Sequence, residues 1–200
     1  MPPSAVDTLA EALAGTFPGC DDAPLALTLL RELANGQPVA MSRLPEGADH
    51  ALARWPNLEY DEAGRVVAFS GLSLTPTGHR FAVGGRQLYT WCAWDTLFLP
   101  AMLAQSADVE STCPVTGREV RLTVDPDGVR HFEPQPLCLS FPPPSTTSTA
   151  DITGTFCCHV HFLATPAATE QWLSRHPDGT VLGLDDAYEL GRRASRCCTV

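Results

Sequence analysis

Eight cysteines are the feature of this 200-residue chain that most limits how it can fold. Their density is well below the roughly 8–10% of residues that marks a small disulfide-stapled scaffold. A chain of this length can instead bury a sizeable core, and 44% hydrophobic with 18% charged residues is typical of a globular protein. We therefore expect a core-stabilised fold whose thiols are available for chemistry. These thiols belong to Cys20, Cys92, Cys113, Cys138, Cys157, Cys158, Cys197 and Cys198.

The start of the sequence and its hydropathy predict a cytoplasmic protein without a membrane partner. Residues 1–7 have neither the basic region nor the apolar region of a secretory signal. Apolar runs stay shorter than the ~18 residues that a membrane helix needs. Cysteines in the cytoplasm stay reduced, so plentiful thiols there point to metal binding or catalysis.

The first part of the chain is predicted to be helical. One helix is expected over residues 6–14, followed by a loop over residues 17–22. Pro24 then opens a second helix, which Asn35-Gly36 ends, because proline is tolerated in the first turn and glycine favours the C-terminal cap. The apolar stripe of this second helix consists of Leu25, Leu29, Leu30 and Leu33.

A hairpin is predicted to follow these helices. Short helical pieces over residues 39–44 and 48–55 precede two β-rich runs, residues 58–60 and 65–72, with turn residues 61–64 between them. Helices followed by a hairpin resemble a winged helix-turn-helix, a fold used both for DNA binding and as an accessory module.

The charge of the chain favours the accessory role. Its formal net charge is -10, which repels phosphate backbones unless basic residues cluster. Few arginines, Arg43 and Arg54, fall on the presumed recognition segment. We expect residues 1–75 to form a winged-helix-like module that binds no nucleic acid.

The remaining residues, 76–200, are predicted to form a second domain. Its strands are expected to be mainly antiparallel and flanked by helices, which makes the whole chain α+β. The predicted strands are residues 80–83, 108–111, 120–124 and 156–163. The predicted helices are residues 91–104, either kinked or begun late at Pro100, one beginning at Thr165 or Pro166, and 185–193.

Trp91-Cys92-Ala93-Trp94-Asp95 is the first segment that could carry chemistry. On a helix, positions i and i+3 are neighbours, so the Cys92 thiol and the Asp95 carboxyl would lie together. A first-turn cysteine has its thiolate favoured by the helix dipole, and a carboxyl between two tryptophans is desolvated, which raises its pKa. The alternative is a buried structural cysteine beside an ordinary N-terminal aspartate.

Phe156-Cys157-Cys158-His159-Val160-His161-Phe162 is the second such segment. In a strand, Cys157, His159 and His161 would share one face, and Cys158 would pack into the core on the other. Adjacent cysteines rarely bond each other, because their Cα atoms lie only ~3.8 Å apart. A zinc site on Cys157, His159 and His161 is a weak match, since it lacks a fourth ligand and the usual paired spacing.

The other cysteines give weaker indications. Cys20, Cys113 and Cys138 are interpreted as structural. Cys197 and Cys198 lie on an arginine-flanked tail, where they either hand a soft metal to a partner or have no selected role.

Taken together, these segments resemble the bacterial organomercurial lyases (alkylmercury lyases). Their order and separations fit that family, and the likeness extends from about residue 20 through 190. The stretches that carry it are Tyr89-Thr90-Trp91-Cys92-Ala93-Trp94-Asp95-Thr96-Leu97, Cys113 with Thr116-Gly117, and Phe156-Cys157-Cys158-His159-Val160-His161-Phe162.

The resemblance implies protonolysis of a carbon–mercury bond, which gives a hydrocarbon and Hg(II). The catalytic residues of the family carry over onto Cys92, Asp95 and Cys157, which would also contact the mercury. Cys158 would then be the packed member of its pair, and Trp94 stands at a position that varies in such sequences. No added cofactor is implied, because the metal arrives with the substrate. External thiols would help to remove Hg(II), and transfer to a mercuric reductase is the implied partner step.

The chemistry of mercury agrees with these residue types. Mercury is a soft cation that thiolates bind best, and a second thiolate weakens its bond to carbon. The carbon then needs a proton, which Asp95 could take from Cys92 and deliver. Apolar neighbours are expected to exclude water from the reaction. These neighbours are Trp91, Trp94, Phe98 and Phe162.

Two alternatives from other functional classes remain open at this level. One is a winged-helix metal-sensing regulator that binds DNA. The other is a non-catalytic zinc or copper module built on Cys157, His159 and His161.

Overall fold

The structure, a computed structural model, describes residues 4–13 and 22–196. Within these ranges no helix combines the length and apolar character needed to cross a bilayer. The helices are α1 (Ala5–Ala12), α2 (Ala23–Leu33), α3 (Ala48–Leu52), α4 (Asp95–Leu103), α5 (Ile152–Thr155), α6 (Pro166–Arg175) and α7 (Leu184–Ala194). The strands are β1 (Glu59–Tyr60), β2 (Val66–Phe69), β3 (Leu72–Ser73), β4 (His79–Val83), β5 (Arg86–Thr90), β6 (Ala107–Thr112), β7 (Glu119–Asp125), β8 (Gly128–Glu133), β9 (Cys138–Phe141), β10 (Phe162–Leu163) and β11 (Thr180–Gly183).

The N-terminal residues form the predicted winged-helix-like module. The Asp22 side chain caps α2 by accepting the Leu25 N–H, and the apolar stripe of this helix is buried against β2 and β3. The strands β1 and β2 form the predicted antiparallel hairpin. Stacking of Trp55 on Phe69, with ring centroids 5.1 Å apart, fastens the segment after α3 to this hairpin. Of the predicted loop over residues 17–22, only Asp22 is among the described residues.

The α+β prediction is confirmed, with antiparallel pairing in both sheets. The larger sheet has the strand order β1-β2-β3-β5-β4-β6-β7-β8, and the smaller has the order β10-β9-β11. Alternate residues of β6 and β7 are buried, as expected for strands with one face on the core. The strands β5, β8, β9 and β11 were not predicted from the sequence.

The junction between the predicted domains is continuous in the structure. The run 65–72, predicted as one strand, turns at Ser70 and Gly71, so that Phe69 pairs with Leu72. Both turn residues have positive φ, 49° and 92°, which suits a two-residue hairpin turn. Because β3 also pairs with β5, one sheet joins the two predicted domains. The boundary at residue 75 stays a prediction.

The strand predicted over residues 156–163 is wrong. The segment follows α5, forms a 3₁₀ turn over Cys157–His159, and becomes a strand only at Phe162–Leu163. Asp151 stabilises α5 by accepting the Gly154 N–H. Hydrogen bonds from distant segments hold the 3₁₀ turn and override the β-rich composition of residues 156–163. The two-sided alternation expected for its cysteines and histidines therefore does not exist.

The C-terminal helices agree with prediction. Thr165 caps α6 by accepting the Ala168 N–H at 3.0 Å, and α7 follows β11. α7 packs against α1. The two helices are also joined by an ion pair between Arg193 and Asp7, whose N–O distance is 2.7 Å.

Asn57 ties the N-terminal module to the chain that leads to Cys157. Its side-chain N–H donates to the Thr149 carbonyl at 2.8 Å, and its side-chain carbonyl accepts the Ile152 N–H at 3.2 Å. The residue has a φ of 61°, a conformation that asparagine tolerates better than most residues. Asn57 therefore joins two segments nearly a hundred residues apart.

Asn57→Gly should lower the free energy of unfolding by about 1–2 kcal/mol, because it removes two hydrogen bonds while keeping the positive φ. Urea unfolding of the purified variant measures this loss. Asn35→Gly is the matched control, since the Asn35 amide donates only within its own region of the chain, to the Arg31 carbonyl. Equal stability losses in the two variants would contradict the role of Asn57 as a tie.

Candidate active site

Three predicted side chains converge in the structure. One sulfur each from Cys92 and Cys157 and one carboxylate oxygen of Asp95 all lie within 4.8 Å of one another, and all three residues are buried. In the described part of the chain, no other group of three or more such ligands is this close together. The histidines His159 and His161 do not join it. The geometry therefore gives no support to a zinc or copper site on Cys157 and these histidines.

Cys92 and Asp95 are held at the junction between β5 and α4. The Thr90 hydroxyl donates to the Cys92 carbonyl at 2.8 Å, and the Cys92 N–H donates to Asp95 Oδ2 at the same distance. The helix begins at Asp95 rather than at Trp91 and continues through Pro100, so the prediction of residues 91–104 was too long at its start. Cys92 thus precedes the helix, and the backbone turn brings its thiol beside the carboxyl.

Cys157 reaches the same point from the 3₁₀ turn. The Ala93 N–H donates to the Val160 carbonyl at 3.3 Å, which joins this turn directly to the Cys92 segment. The fully buried Ser140 of β9 supports the turn from the other side: its hydroxyl donates to the His159 carbonyl at 2.8 Å. The cysteine is thus placed by tertiary hydrogen bonds rather than by strand alternation.

Burial decides the ionisation of the site. Burial raises the pKa of Asp95 to about 7, against the opposing effect of hydrogen bonds from the Cys92 thiol and backbone. It also raises the pKa of the Cys92 thiol well above its ordinary value, and the neighbouring Cys157 and Asp95 add to this. The prediction of a desolvated carboxyl is confirmed. The prediction that a helix dipole favours the Cys92 thiolate is wrong, because this cysteine lies outside the helix and is fully buried.

The Cys157 thiol is also a weak acid here. A hydrogen bond with Cys92 lowers its pKa, but burial and the nearby Asp95 and Cys158 together raise it above the ordinary value. The resting site is therefore two buried thiols beside a carboxyl that titrates near neutral pH. Such a group can bind a soft cation through sulfur and move a proton through oxygen.

A mostly apolar pocket opens onto Asp95 and Cys157, whereas the fully buried Cys92 lies behind its lining. It has about 430 Å³ of empty space, counting its open mouth. Of the aromatic residues predicted to exclude water, Trp91, Trp94 and Phe98 line it, whereas Phe162 packs against the His79 ring instead. The pocket also includes residues that the sequence reasoning missed, namely Leu13, Asn57, Ser70, Gly71, Ile152 and Phe156.

Of these missed residues, Ser70-Gly71 had a usable signal. A Ser-Gly dipeptide inside a β-rich run marks a turn. Trp94 is anchored in the pocket wall by its indole N–H, which donates to the Ala187 carbonyl at 3.0 Å.

Family models divide the chain near this turn. The model described as alkylmercury lyase matches residues 72–195, and that described as the helix-turn-helix domain of alkylmercury lyase matches residues 5–70. The chain belongs to the alkylmercury lyase family. The predicted family resemblance and the winged-helix-like module are thereby confirmed.

Several proteins named alkylmercury lyase are similar to this chain over most of its length. The alkylmercury lyase of Streptomyces lividans is 49% identical over 171 residues, which cover 82% of this chain and 78% of the relative. That of Staphylococcus epidermidis is 43% identical over the same length. That of Pseudomonas putida is 40% identical over 190 residues, covering 92% of this chain and 88% of the relative.

A solved structure shares the fold. The crystal structure of the mercury-bound form of MerB2 superposes with a TM-score of 0.75, covering 96% of this chain and 98% of that one, at 23% identity. At this identity the likeness concerns the fold alone. It supports the α+β arrangement described above.

The remaining cysteines differ in exposure. Cys158 is exposed, with its thiol donating to the Gly154 carbonyl at 3.0 Å, so the prediction that it packs into the core is wrong. Cys113 is buried and Cys138 half-buried, which agrees with structural roles. The predictions for Cys20 and for the Cys197-Cys198 tail lie outside the described residues.

Asp95→Asn should change how stability depends on pH. Between its ordinary pKa of 3.8 and the folded value of about 7, the unfolded chain has lost the Asp95 proton while the folded chain keeps it. Raising the pH therefore favours unfolding, and each unit in this window removes up to about 1.4 kcal/mol of stability from wild type but not from the variant.

Urea unfolding of both proteins from about pH 4 to about pH 8 measures this difference. The asparagine keeps an oxygen for the Cys92 N–H, so the two proteins differ mainly in the titrating group. Parallel stability curves would contradict a raised pKa for Asp95.

Proposed function

We propose that this chain is an alkylmercury lyase in activity as well as in family, cleaving alkyl- and arylmercury compounds to a hydrocarbon and Hg(II). The observation that carries the proposal is the convergence of Cys92, Asp95 and Cys157 within 4.8 Å, beside an apolar pocket that Asp95 and Cys157 line. Two sulfurs suit mercury, and a carboxyl beside them suits transfer of a proton to carbon. Such an activity serves mercury resistance and detoxification.

Capture of the substrate comes first in the proposed reaction. A thiol of the pair, Cys157, exchanges its proton for the R–Hg group, forming a sulfur–mercury bond while the proton leaves with the displaced counter-ligand. The high pKa of the buried thiols keeps both sulfurs protonated and uncharged at rest. The mercury replaces the proton on sulfur, so no isolated charge has to be buried in this step.

Cleavage follows when the second thiol engages. The Cys92 proton passes to the Asp95 carboxylate as its sulfur binds mercury. The added electron density weakens the carbon–mercury bond, and the Asp95 proton goes to the departing carbon. The carbon–hydrogen bond takes the electron pair of the broken bond, leaving Hg(II) held by two sulfurs. Asp95 returns to the carboxylate.

The acid–base role suits the environment of Asp95. A carboxyl with a pKa of about 7 is populated in both forms near neutral pH, which is the condition for accepting and then donating a proton. The tryptophans Trp91 and Trp94 and the ring of Phe98 give the organic group an apolar surface and keep water away from the carbon.

We further propose that turnover needs no added cofactor, only external thiols that exchange with the two cysteines and remove Hg(II). Transfer of that Hg(II) to a mercuric reductase is the partner step that we expect, in the cytoplasm.

The helical module is proposed to bind no DNA. In support, Arg43 pairs with Glu32 at an N–O distance of 2.7 Å, and Arg54 donates to the His50 carbonyl, within a chain of net charge -10.

Cys92→Ser and Cys157→Ser should each abolish hydrocarbon release, because one remaining sulfur cannot both hold mercury and weaken its bond to carbon. Gas chromatography of methane from methylmercury, or benzene from phenylmercury, with excess thiol measures the activity. Cys158→Ser is the matched control, since this neighbouring thiol is exposed. Full activity in either site variant would contradict the assignment.

Asp95→Ala should still bind the organomercurial through its thiols but lose protonolysis. A general acid of this kind contributes about a hundredfold to ten-thousandfold in rate. Retained mercury in desalted protein measures binding, and single-turnover gas release measures cleavage. A normal rate of release would remove Asp95 from the mechanism.

A further inference from the structure

The two-residue turn between β2 and β3 lies directly against the Asp95 carboxyl. The backbone N–H of Trp91, the residue before Cys92, donates to the Gly71 carbonyl at 2.9 Å. The turn is thus bonded to the segment that carries two of the three site residues. It also lines the pocket, although it belongs to the hairpin region that follows the helical module.

Gly71 leaves no room for a side chain. A Cβ placed on it would lie 2.5 Å from Asp95 Cγ, 2.7 Å from Asp95 Oδ1 and 2.9 Å from Asp95 Cβ. These contacts are closer than real Cβ atoms approach. They involve the whole carboxyl rather than the tip of a flexible side chain, so Asp95 would have to move.

The Asp95 side chain has little freedom to move away from such a contact. It is 5% exposed, and its Oδ2 accepts the Cys92 N–H at 2.8 Å. Moving it away from the turn breaks or lengthens that hydrogen bond and changes the distances to both sulfurs. The carboxyl can therefore occupy its observed position only because residue 71 has no side chain.

We infer that Gly71 is a positioning residue for the proposed reaction: its lack of a side chain sets where the Asp95 carboxyl lies relative to Cys92 and Cys157. The inference rests on the proposed function for its kinetic consequence, although the position of the carboxyl can be tested without catalysis. The turn between β2 and β3, which follows the winged-helix-like module, therefore has a direct part in the site.

Gly64 provides a matched control in the neighbouring hairpin. Its φ is +72°, against +92° for Gly71, so a side chain strains the backbone at both positions. A Cβ on Gly64 would meet no atom within 4 Å. The pair Gly71→Ala and Gly64→Ala therefore separates backbone strain from displacement of Asp95.

The kinetic test is single-turnover release of benzene from phenylmercury. Gly71→Ala should slow release about a hundredfold, because a displacement of about 1 Å in a reacting group has an effect of that size. Stoichiometric capture of phenylmercury should persist, because the thiols are unchanged. Gly64→Ala should release benzene at close to the wild-type rate.

The second readout is the titration of Asp95, followed by its carbon-13 carboxyl resonance and assigned by its loss in Asp95→Asn. The wild-type carboxyl should titrate near its pKa of about 7. In Gly71→Ala the displaced carboxyl loses or lengthens its hydrogen bond from the Cys92 N–H, which holds its pKa down, so its midpoint should move to higher pH, whereas in Gly64→Ala it should not move. A purely structural role would reduce the folded fraction without shifting this midpoint.

A further variant guards against failure of the turn itself. Asparagine tolerates positive φ but still has a Cβ, so Gly71→Asn should keep the turn and reproduce both effects. Wild-type rates and midpoints in both Gly71 variants would overturn the inference. Absence of benzene from wild type, with the Asp95 midpoint still shifted by Gly71→Ala, would instead overturn the proposed function and leave the positioning supported.

Discussion

The burial of one carboxyl, that of Asp95, is the constraint on which the rest of the site depends. A carboxylate removed from water is costly unless hydrogen bonds compensate for it, and here the compensation comes from the backbone N–H of Cys92. That bond requires the chain to turn between β5 and α4. The turn at Gly71 must then approach closely enough to exclude water. The two buried thiols complete an environment in which the neutral acid is stable near pH 7.

Sequence patterns predicted the structure well where neighbouring residues determine the backbone conformation. They predicted it less well where contacts with distant segments determine that conformation. The leucine stripe of α2 and the start of α6 at Thr165 or Pro166 were predicted, because they follow from spacing and residue type close together in the chain. The residue types and separations at Cys92 and Asp95 indicated a thiol beside a desolvated carboxyl. The segment around Cys157 was misassigned, because its 3₁₀ turn depends on a distant partner, Ser140, that no local pattern reveals.

The winged-helix-like module illustrates how a familiar fold acquires another use. Its hairpin does not stand free as a wing would, since β3 pairs with β5 and extends a single eight-stranded sheet. Asn57 adds hydrogen bonds to the segment before Cys157. The helices α1 and α7 are joined through Asp7 and Arg193. The module is therefore built into the architecture that encloses the pocket.

The division of the cysteine pair between interior and solvent has a practical consequence. Cys157 is buried at the site, while the next residue along the chain presents its sulfur outward. A bulky alkylating reporter that cannot enter the pocket can attach at Cys158, one peptide bond away from the proposed mercury ligand Cys157. The native chain thus contains a labelling point whose signal would sense changes at the site without occupying it.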